Sequence, residues 1–439
     1  MSFFLLPSIQ INYQLINHIL PIYSNNKIGT VKINKTLSNY LNNIKGQIDK
    51  NPIEWDKFKK YTNPYEYIHT AVPNSKQSVS KCKPLSRSYF KMIELVKSMN
   101  LLEDLPQNNC KTFHLAEGPG GFIEAIVEMR ESLYNDQHYG MTLINDNDKA
   151  IPGWKKSRNF LNKYPNVTIE TGADGTGNLM NCENLRYCFE KYRGTMDLIT
   201  ADGGFDFSVD FNHQETVSSK LVFSQIAFAI AMQKYMGNFI IKFFDTFTHV
   251  SIDLLYILST LYNEVYFVKP TTSRYANSEK YIVCKGFRLQ NNEDIIKKFY
   301  HIIGSLTEEK QIERLLNINI PYLFTNTVEE FNAILGQQQI ENIASTLNII
   351  NNNKYDRLEN MKKNNIQKCI TWCQKYNVPY NKVITTNNIF LSGRTTLDNP
   401  FSTSVGDYVG DSVGASVGDS VGTSVGDSVG DSALSITNT

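Results

Sequence analysis

A short strand-like run that breaks into glycines limits the fold of this chain more than any other feature. The segment reads His114-Leu115-Ala116-Glu117-Gly118-Pro119-Gly120-Gly121-Phe122, and an amphipathic stretch from Phe122 to Arg130 follows at once. Strand, tight turn and helix start in that order are how open α/β sheets present a loop to a nucleotide-like ligand. Glycine has no Cβ, so a backbone built from it can approach a neighbour closely. The loop is not a phosphate cradle of the G-x-x-x-x-G-K-[ST] type, because no Lys-Ser or Lys-Thr follows. Its spacing is also not the G-x-G-x-x-G of a dinucleotide fold.

Around this loop, from 110 to 287, strand-like and helix-like stretches alternate. Apolar runs fall at 112–116, 139–144, 166–170, 196–201, 238–244, 264–268 and 281–284. Helical patterns lie between most of them, at 122–131, 154–163, 183–192, 216–236 and 250–261, and one at 84–100 precedes them. Such alternation predicts a mostly parallel sheet covered on both faces. The gap from Lys269 to Lys280 is too short for a helical crossover, so one strand is expected to run antiparallel.

Four regions follow: a basic lead-in over 1–83, the α/β segment over 84–288, a mainly helical region over 289–395, and a tail over 396–439. The lead-in is read as irregular and partly helical. The third region is read as helices at 293–303, 308–316, 328–335, 340–351 and 355–376. The tail repeats Ser-Val-Gly-Asp and close variants. Its only regular apolar residue is Val, which cannot bury enough surface to offset the entropy of ordering, so it is expected to be disordered.

Net charge is +1, which by itself points to no polyanionic partner, but the distribution does. Residues 1–105 hold 14 Lys and Arg against 7 Asp and Glu, whereas the tail has six Asp and no Lys, Arg or Glu. Seven scattered cysteines without a CxxC pair suit reduced thiols rather than a disulfide frame or a zinc site. No apolar stretch is long enough for a membrane span. In the front segment Trp55, Tyr61, Tyr65 and Tyr67 interleave with Lys57, Lys59 and Lys60, a pattern suited to stacking a base beside phosphates.

Two residues, Lys242 and Asp202, stand out as chemistry, while Lys91 and Glu279 taken alone read as a surface lysine and an ordinary loop acid. Lys242 interrupts an apolar strand, Phe239-Ile240-Ile241-Lys242-Phe243, where an unpaired charge would be costly. Asp202 ends another strand in Thr200-Ala201-Asp202-Gly203-Gly204-Phe205, at the edge where open α/β sheets place functional groups. Lys91 lies on the 84–100 helix, and Glu279 in Arg274-Tyr275-Ala276-Asn277-Ser278-Glu279.

In order and context, Lys91, Asp202, Lys242 and Glu279 resemble the Lys-Asp-Lys-Glu tetrad of FtsJ-like RNA 2′-O-methyltransferases. The Glu117–Phe122 loop resembles the cofactor loop of that family. Tyr139 to Leu143, the Ala-Asp-Gly-Gly-Phe segment, 242–248 and 269–286 look like the branch that methylates the first transcribed nucleotide of capped mRNA. The resemblance covers about 84–288. It implies a Rossmann-like fold with a seven-stranded, mostly parallel sheet, one antiparallel strand and helices on both faces. The helical C-terminal region lies outside it.

The resemblance also implies S-adenosyl-L-methionine as cofactor, held by Glu117, Gly118, Pro119, Gly120, Gly121 and Phe122, with Asp174 at the adenine end and Asp202 nearby. It implies Lys242 as general base, with Lys91, Asp202 and Glu279 around it, and Asn212, His213, Gln214 and Asn277 as RNA contacts. No metal is expected. The implied partner is RNA, capped mRNA first, with other capping or transcription proteins as further partners and no membrane. Ribosomal or transfer RNA is the alternative substrate, and a non-catalytic RNA-binding subunit the alternative of another class. A cytoplasmic setting is expected, in the host cytoplasm or virion if the source is a large DNA virus, which the Asn/Ile/Lys bias suits, or the nucleus if it is cellular.

Overall fold

A computed structural model of the chain describes residues 1–10, 13–25, 29–130, 135–145, 147–148, 151–205, 213–307, 309–352, 355–382 and 433–434. The lead-in contains β1 (Ser2–Leu5), β2 (Ile19–Ser24), α1 (Lys35–Lys45) and α2 (Pro52–Thr62). Next come α3 (Ser88–Ser98), β3 (Lys111–Leu115), α4 (Gly121–Arg130), β4 (Gln137–Met141), α5 (Arg158–Lys163), β5 (Val167–Ile169) and α6 (Cys182–Tyr192). Then follow β6 (Met196–Ala201), β7 (Gly204–Phe205), α7 (Gln214–Met232), β8 (Gln233–Phe243), α8 (His249–Leu261), β9 (Tyr262–Lys269) and β10 (Lys280–Phe287). After these lie α9 (Glu293–Gly304), β11 (Gln311–Leu316), α10 (Tyr322–Asn351) and α11 (Leu358–Lys375). A two-residue strand, β12 (Ala433–Leu434), pairs with β7. The rest of the 396–439 repeat, with the disorder expected of it, lies outside the described residues.

The main sheet has the order β1-β9-β10-β8-β6-β3-β4-β5. From β8 to β5 every neighbouring pair is parallel, and β10 runs antiparallel to both β8 and β9. The expected seven strands and the reversed one are all present, but the sheet has eight strands. Ser2 to Leu5, read as irregular lead-in, pairs antiparallel with β9. Four residues show no usable period; the open edge of β9 supplies the hydrogen-bond partners that make them a strand. Phe4 anchors them by stacking on Phe331 of α10 at 4.8 Å between ring centroids.

Helices cover both faces, as a parallel sheet requires. On one side α6, α7, α8 and α9 bury Leu185, Phe223, Leu255 and Phe299 against strand residues such as Phe113 and Phe239. The other core joins α3, α4 and α11 through Phe90, Phe122 and Trp372.

The region after 290 departs from its helical reading in two places. The helix expected over 308–316 is replaced, in its described residues, by a strand: residues 311–316 form β11, which pairs with β2 from the far end of the chain. Asp253 on α8 fixes it, accepting hydrogen bonds from the Leu315 and Leu316 N–H groups and from the Arg314 guanidinium. The separate helices 328–335 and 340–351 are one helix, α10, because Gly336 between them continues the helix and packs on Leu37 of α1.

Candidate active site

Strand register brings the site together. In the parallel run, Leu115 of β3 pairs with Ala201 of β6, and Ala201 with Ile241 of β8. One step further along β6 and β8 come Asp202 and Lys242, so the register alone sets them side by side. Lys242 Nζ lies 3.4 Å from Asp202 Oδ1. Tyr281 of β10, directly opposite Lys242, donates its hydroxyl to the same Oδ1 at 2.8 Å. Glu279 immediately precedes β10, and Lys91 of α3 reaches its Oε2 at 2.9 Å. Lys91, Asp202, Lys242 and Glu279 are all within 3 % of full burial. A buried ion costs several kcal/mol unless paired, so two ion pairs in this place are a chemical investment rather than packing.

A second tier holds the 270–279 loop in place. Glu94 on α3 accepts from the N–H and hydroxyl of both Thr271 and Thr272. Arg274 forms a two-pronged ion pair with the buried Glu66 of the lead-in, at 2.9 and 2.6 Å. Ser273 donates to Glu279 Oε1 at 2.7 Å. Lys269 directs its ammonium at three acceptors: the Asn277 carbonyl and Oδ1, each at 2.9 Å, and the Glu279 carbonyl at 2.5 Å. Burial pushes Lys269 down to about 7, helped by Lys280 and Lys91 and opposed by Glu279 and Asp245. Burial likewise brings Lys280 to about 8, against the charges of Asp245 and Glu215. Lys280 caps the Phe244 carbonyl, and Asp245 is paired with Lys45 of α1 at 2.9 Å. Lys269 and Lys280 were not legible as site residues, because a lysine at a strand end reads as an ordinary solvated terminus.

The glycine turn abuts this cluster. Phe122 packs on Tyr281 at 5.8 Å, and the Glu117 carboxyl feels the charge of Asp202. Glu117 is buried; its Oε1 accepts from Ile123 N–H at 2.9 Å, while among the described residues Oε2 has no hydrogen-bond partner. Burial, reinforced by Asp202, holds Glu117 well above the usual carboxylate range despite the N–H groups of Ile123 and Phe122. An open, buried polar atom at the tip of a parallel strand beside a glycine turn suits a polar cofactor group. The glycines also have internal reasons. A Cβ on Gly118 would strike the Gly153 carbonyl, one on Gly121 the Ser86 and Ser88 hydroxyls, and one on Gly120 would meet the Trp154 ring at 3.0 Å.

The remaining expected site residues divide. Gln214 starts α7 and accepts from the Ser278 hydroxyl at 2.9 Å, which ties it to the Glu279 loop. Asn277 sits in that loop under Lys269. His213 caps α7 one residue earlier, and Asn212 lies outside the described residues. Asp174 is exposed in the loop after β5. Desolvation there is outweighed by hydrogen bonds from Thr176, Asn184 and Asn181, which hold it down at about 2. The aromatic face expected of the front segment is largely internal. Trp55 packs against Ile343 and Leu347 of α10, and Tyr67 is fully buried. Among the described residues no group of His, Cys, Asp and Glu could hold a metal, and no helix is long and apolar enough to cross a membrane.

Comparison with known proteins gives this geometry a lineage. Residues 84–287 match the family model of the FtsJ-like methyltransferase. The cap-specific mRNA (nucleoside-2′-O-)-methyltransferase 1 of Mus musculus is 32 % identical over 221 residues, covering 49 % of this chain and 26 % of that protein. That of Trypanosoma cruzi is 39 % identical over 177 residues, 39 % of this chain and 46 % of that protein. The Dictyostelium discoideum protein of the same name is 30 % identical over 311 residues, 64 % and 39 %. This chain thus spans less than half the length of these relatives. Among solved structures, a putative ribosomal RNA methyltransferase from Plasmodium falciparum is 20 % identical with a TM-score of 0.33, covering 46 % of this chain and 98 % of that one. Residues 84–287 of this chain are an FtsJ-like methyltransferase domain.

Proposed function

We propose that the chain transfers a methyl group from S-adenosylmethionine to the ribose 2′-hydroxyl of the first transcribed nucleotide of capped mRNA. The observation that carries this reading is the buried cluster of Lys91, Glu279, Asp202 and Lys242 beside the glycine turn. The named activity of the relatives supports the choice of a capped substrate.

Glu117 to Phe122 would hold the cofactor, with Glu117 Oε2 as the open polar atom on the protein side. The bound cofactor supplies an electrophilic methyl group on a good leaving group. The chain must therefore position a poor nucleophile and remove its proton. The Lys242 ammonium first gives a proton to solvent; its neutral Nζ then takes the 2′-hydroxyl proton as the oxygen attacks the methyl carbon and the carbon–sulfur bond breaks. Asp202 holds Lys242 Nζ in place, and Tyr281 orients Asp202. Glu279, fixed by Ser273 and Lys91, sets the opposite wall. Gly204 leaves the amine accessible, since a Cβ there would lie 3.2 Å from Nζ.

The test is methyl transfer from labelled S-adenosylmethionine to capped and uncapped RNAs of one sequence, with the labelled nucleotide identified. The expected product is a 2′-O-methyl on the nucleotide next to the cap. Equal labelling of both RNAs would move the assignment to ribosomal or transfer RNA, and no labelling of any RNA would remove it.

A further inference from the structure

The lead-in carries a second, separate concentration of positive charge. Where the chain enters α3, an open concavity of ≈ 490 Å³ is lined by Lys76, Lys81, Lys83 and Arg87 together with Ser86 and Asn381, and no described carboxylate lines it. No ion pair joins Lys76, Lys81 or Lys83 to a described carboxylate, and all three are exposed. Glu124 and Glu128, whose charge is felt at Cys82 in the pocket wall, are engaged elsewhere. Glu124 accepts from Leu85 N–H at 2.8 Å, and Glu128 takes the Tyr89 hydroxyl at 2.7 Å.

The pocket's position matters as much as its charge. Arg87 stands four residues before Lys91, about one turn along the same helix face. Ser86, in the pocket wall, shares a hydrogen bond with Ser88, and both hydroxyls press on Gly121 of the glycine turn. One side of the concavity therefore adjoins the cofactor loop, and its floor leads into the helix that carries Lys91. The segment beneath is fastened from outside the methyltransferase domain: Lys81 N–H bonds to the Pro379 carbonyl, and Ser80 bridges to Tyr380. That anchoring keeps lysines of a loop, otherwise free to spread into solvent, around one hollow.

We infer that this hollow binds the phosphates of the RNA strand as it enters the active site, with Lys76, Lys81, Lys83 and Arg87 as the phosphate contacts. The inference rests on the RNA-methylating function proposed above. Like charges cluster in a concavity at an electrostatic cost to the folded chain, and a polyanion offsets that cost. A strand backbone also suits the size and openness of the hollow better than a single ion. In the aromatic–lysine segment at 55–67, by contrast, Trp55 and Tyr67 are buried and Lys59 is paired with Asp56.

The test is fluorescence-anisotropy binding of a labelled 10-mer RNA, capped and uncapped, across a salt series. The full chain is compared with the triple variant Lys76→Gln, Lys81→Gln, Lys83→Gln. On single strands each phosphate contact contributes a slope of about −0.7 in log K against log salt. Losing three contacts should therefore flatten the slope by about 2, equally for both RNAs. Methylation at limiting RNA should fall in step with the lost affinity. The variant's melting temperature, taken alongside, separates lost contacts from lost fold, and single Lys→Gln variants, each flattening the slope by about 0.7, serve if the triple is unstable. An unchanged slope for both RNAs overturns the proposal. A slope that flattens for capped RNA alone overturns the strand assignment and gives the hollow to the cap's polyphosphate. Binding is read independently of methylation, so failure of the proposed reaction would leave this result standing on its own.

Discussion

Two sets of lysines behave oppositely in this molecule. Lys45, Lys91, Lys242, Lys269 and Lys280 are buried, and each ammonium meets a carboxylate or a carbonyl. Lys76, Lys81 and Lys83 are exposed around one hollow with no described ion-pair partner. Burial makes the difference. Inside, desolvation requires each charge to find a partner, and it lowers Lys269 and Lys280 to about 7 and about 8. Outside, the charge keeps its water and serves only to attract. One residue type thus divides into a buried, paired set around the site and a gathering set on the lead-in.

The largest effect should come from the inner set. Lys242→Ala removes the amine that takes the 2′ proton. Methyl transfer is expected to fall by about 10²- to 10⁴-fold, the range for loss of a general base, with S-adenosylmethionine binding by calorimetry nearly unchanged. Retention of more than about a tenth of the single-turnover rate would strip Lys242 of that role and blur the contrast between the two sets.

Why the inner set could be read in advance, in part, follows from energetics. Lys242 stood out because a lysine in an apolar strand is expensive, and Asp202 because it ends a strand before two glycines. The glycine turn announced a strand-to-helix corner for the same local reasons. The second tier left no such mark. Lys269 and Lys280 become unusual only once Glu279, Asp245 and the Phe244 and Asn277 carbonyls are assembled around them. β1 and β11 are strands only because β9 and β2 offer open edges, and no local period encodes a partner more than 250 residues away. Trp55 read as an open stacking face because spacing cannot reveal that α10 packs against that tryptophan.

The Arg274–Glu66 pair joins the two regions, and breaking it is the next test. Burial alone would raise the Glu66 carboxyl, but Arg274 outweighs it and holds Glu66 well below the usual range. Arg274→Met would leave the buried Glu66 with hydrogen bonds from Asn63 and Thr70 and the charges of His69 and Arg87 but without its two-pronged partner, at a cost of about 3–5 kcal/mol near pH 7. The sign with pH follows. A carboxylate depressed in the folded state stabilises above its unfolded pKa and loses that contribution as pH falls through the folded value. Thermal melts should therefore show a large gap between variant and parent at pH 7 that narrows on acidification. A gap independent of pH would mean that the pair contributes packing rather than charge.

The smallest expected effect lies at Glu124, behind the wall of the outer hollow. Burial, helped by Glu128 and opposed by Leu85 N–H and Lys163, lifts its carboxyl from 4.5 to about 7. The folded chain therefore binds the extra proton between those values, so stability falls as pH rises through 4.5 to 7 and stays lower above it. Glu124→Gln keeps the oxygen that accepts from Leu85 and removes the ionisation. For a half-buried group screened by solvent the gain at pH 8 should be about 1 kcal/mol, a rise of about 2–4 °C in melting temperature. At pH 4.5 both proteins carry a neutral side chain there, and their melting temperatures should coincide. A rise that is equal at both pH values would show that the amide improves packing. Glu124 would then ionise like an exposed carboxylate, and the wall between the gathering lysines and the glycine turn would be wetter than its contacts imply.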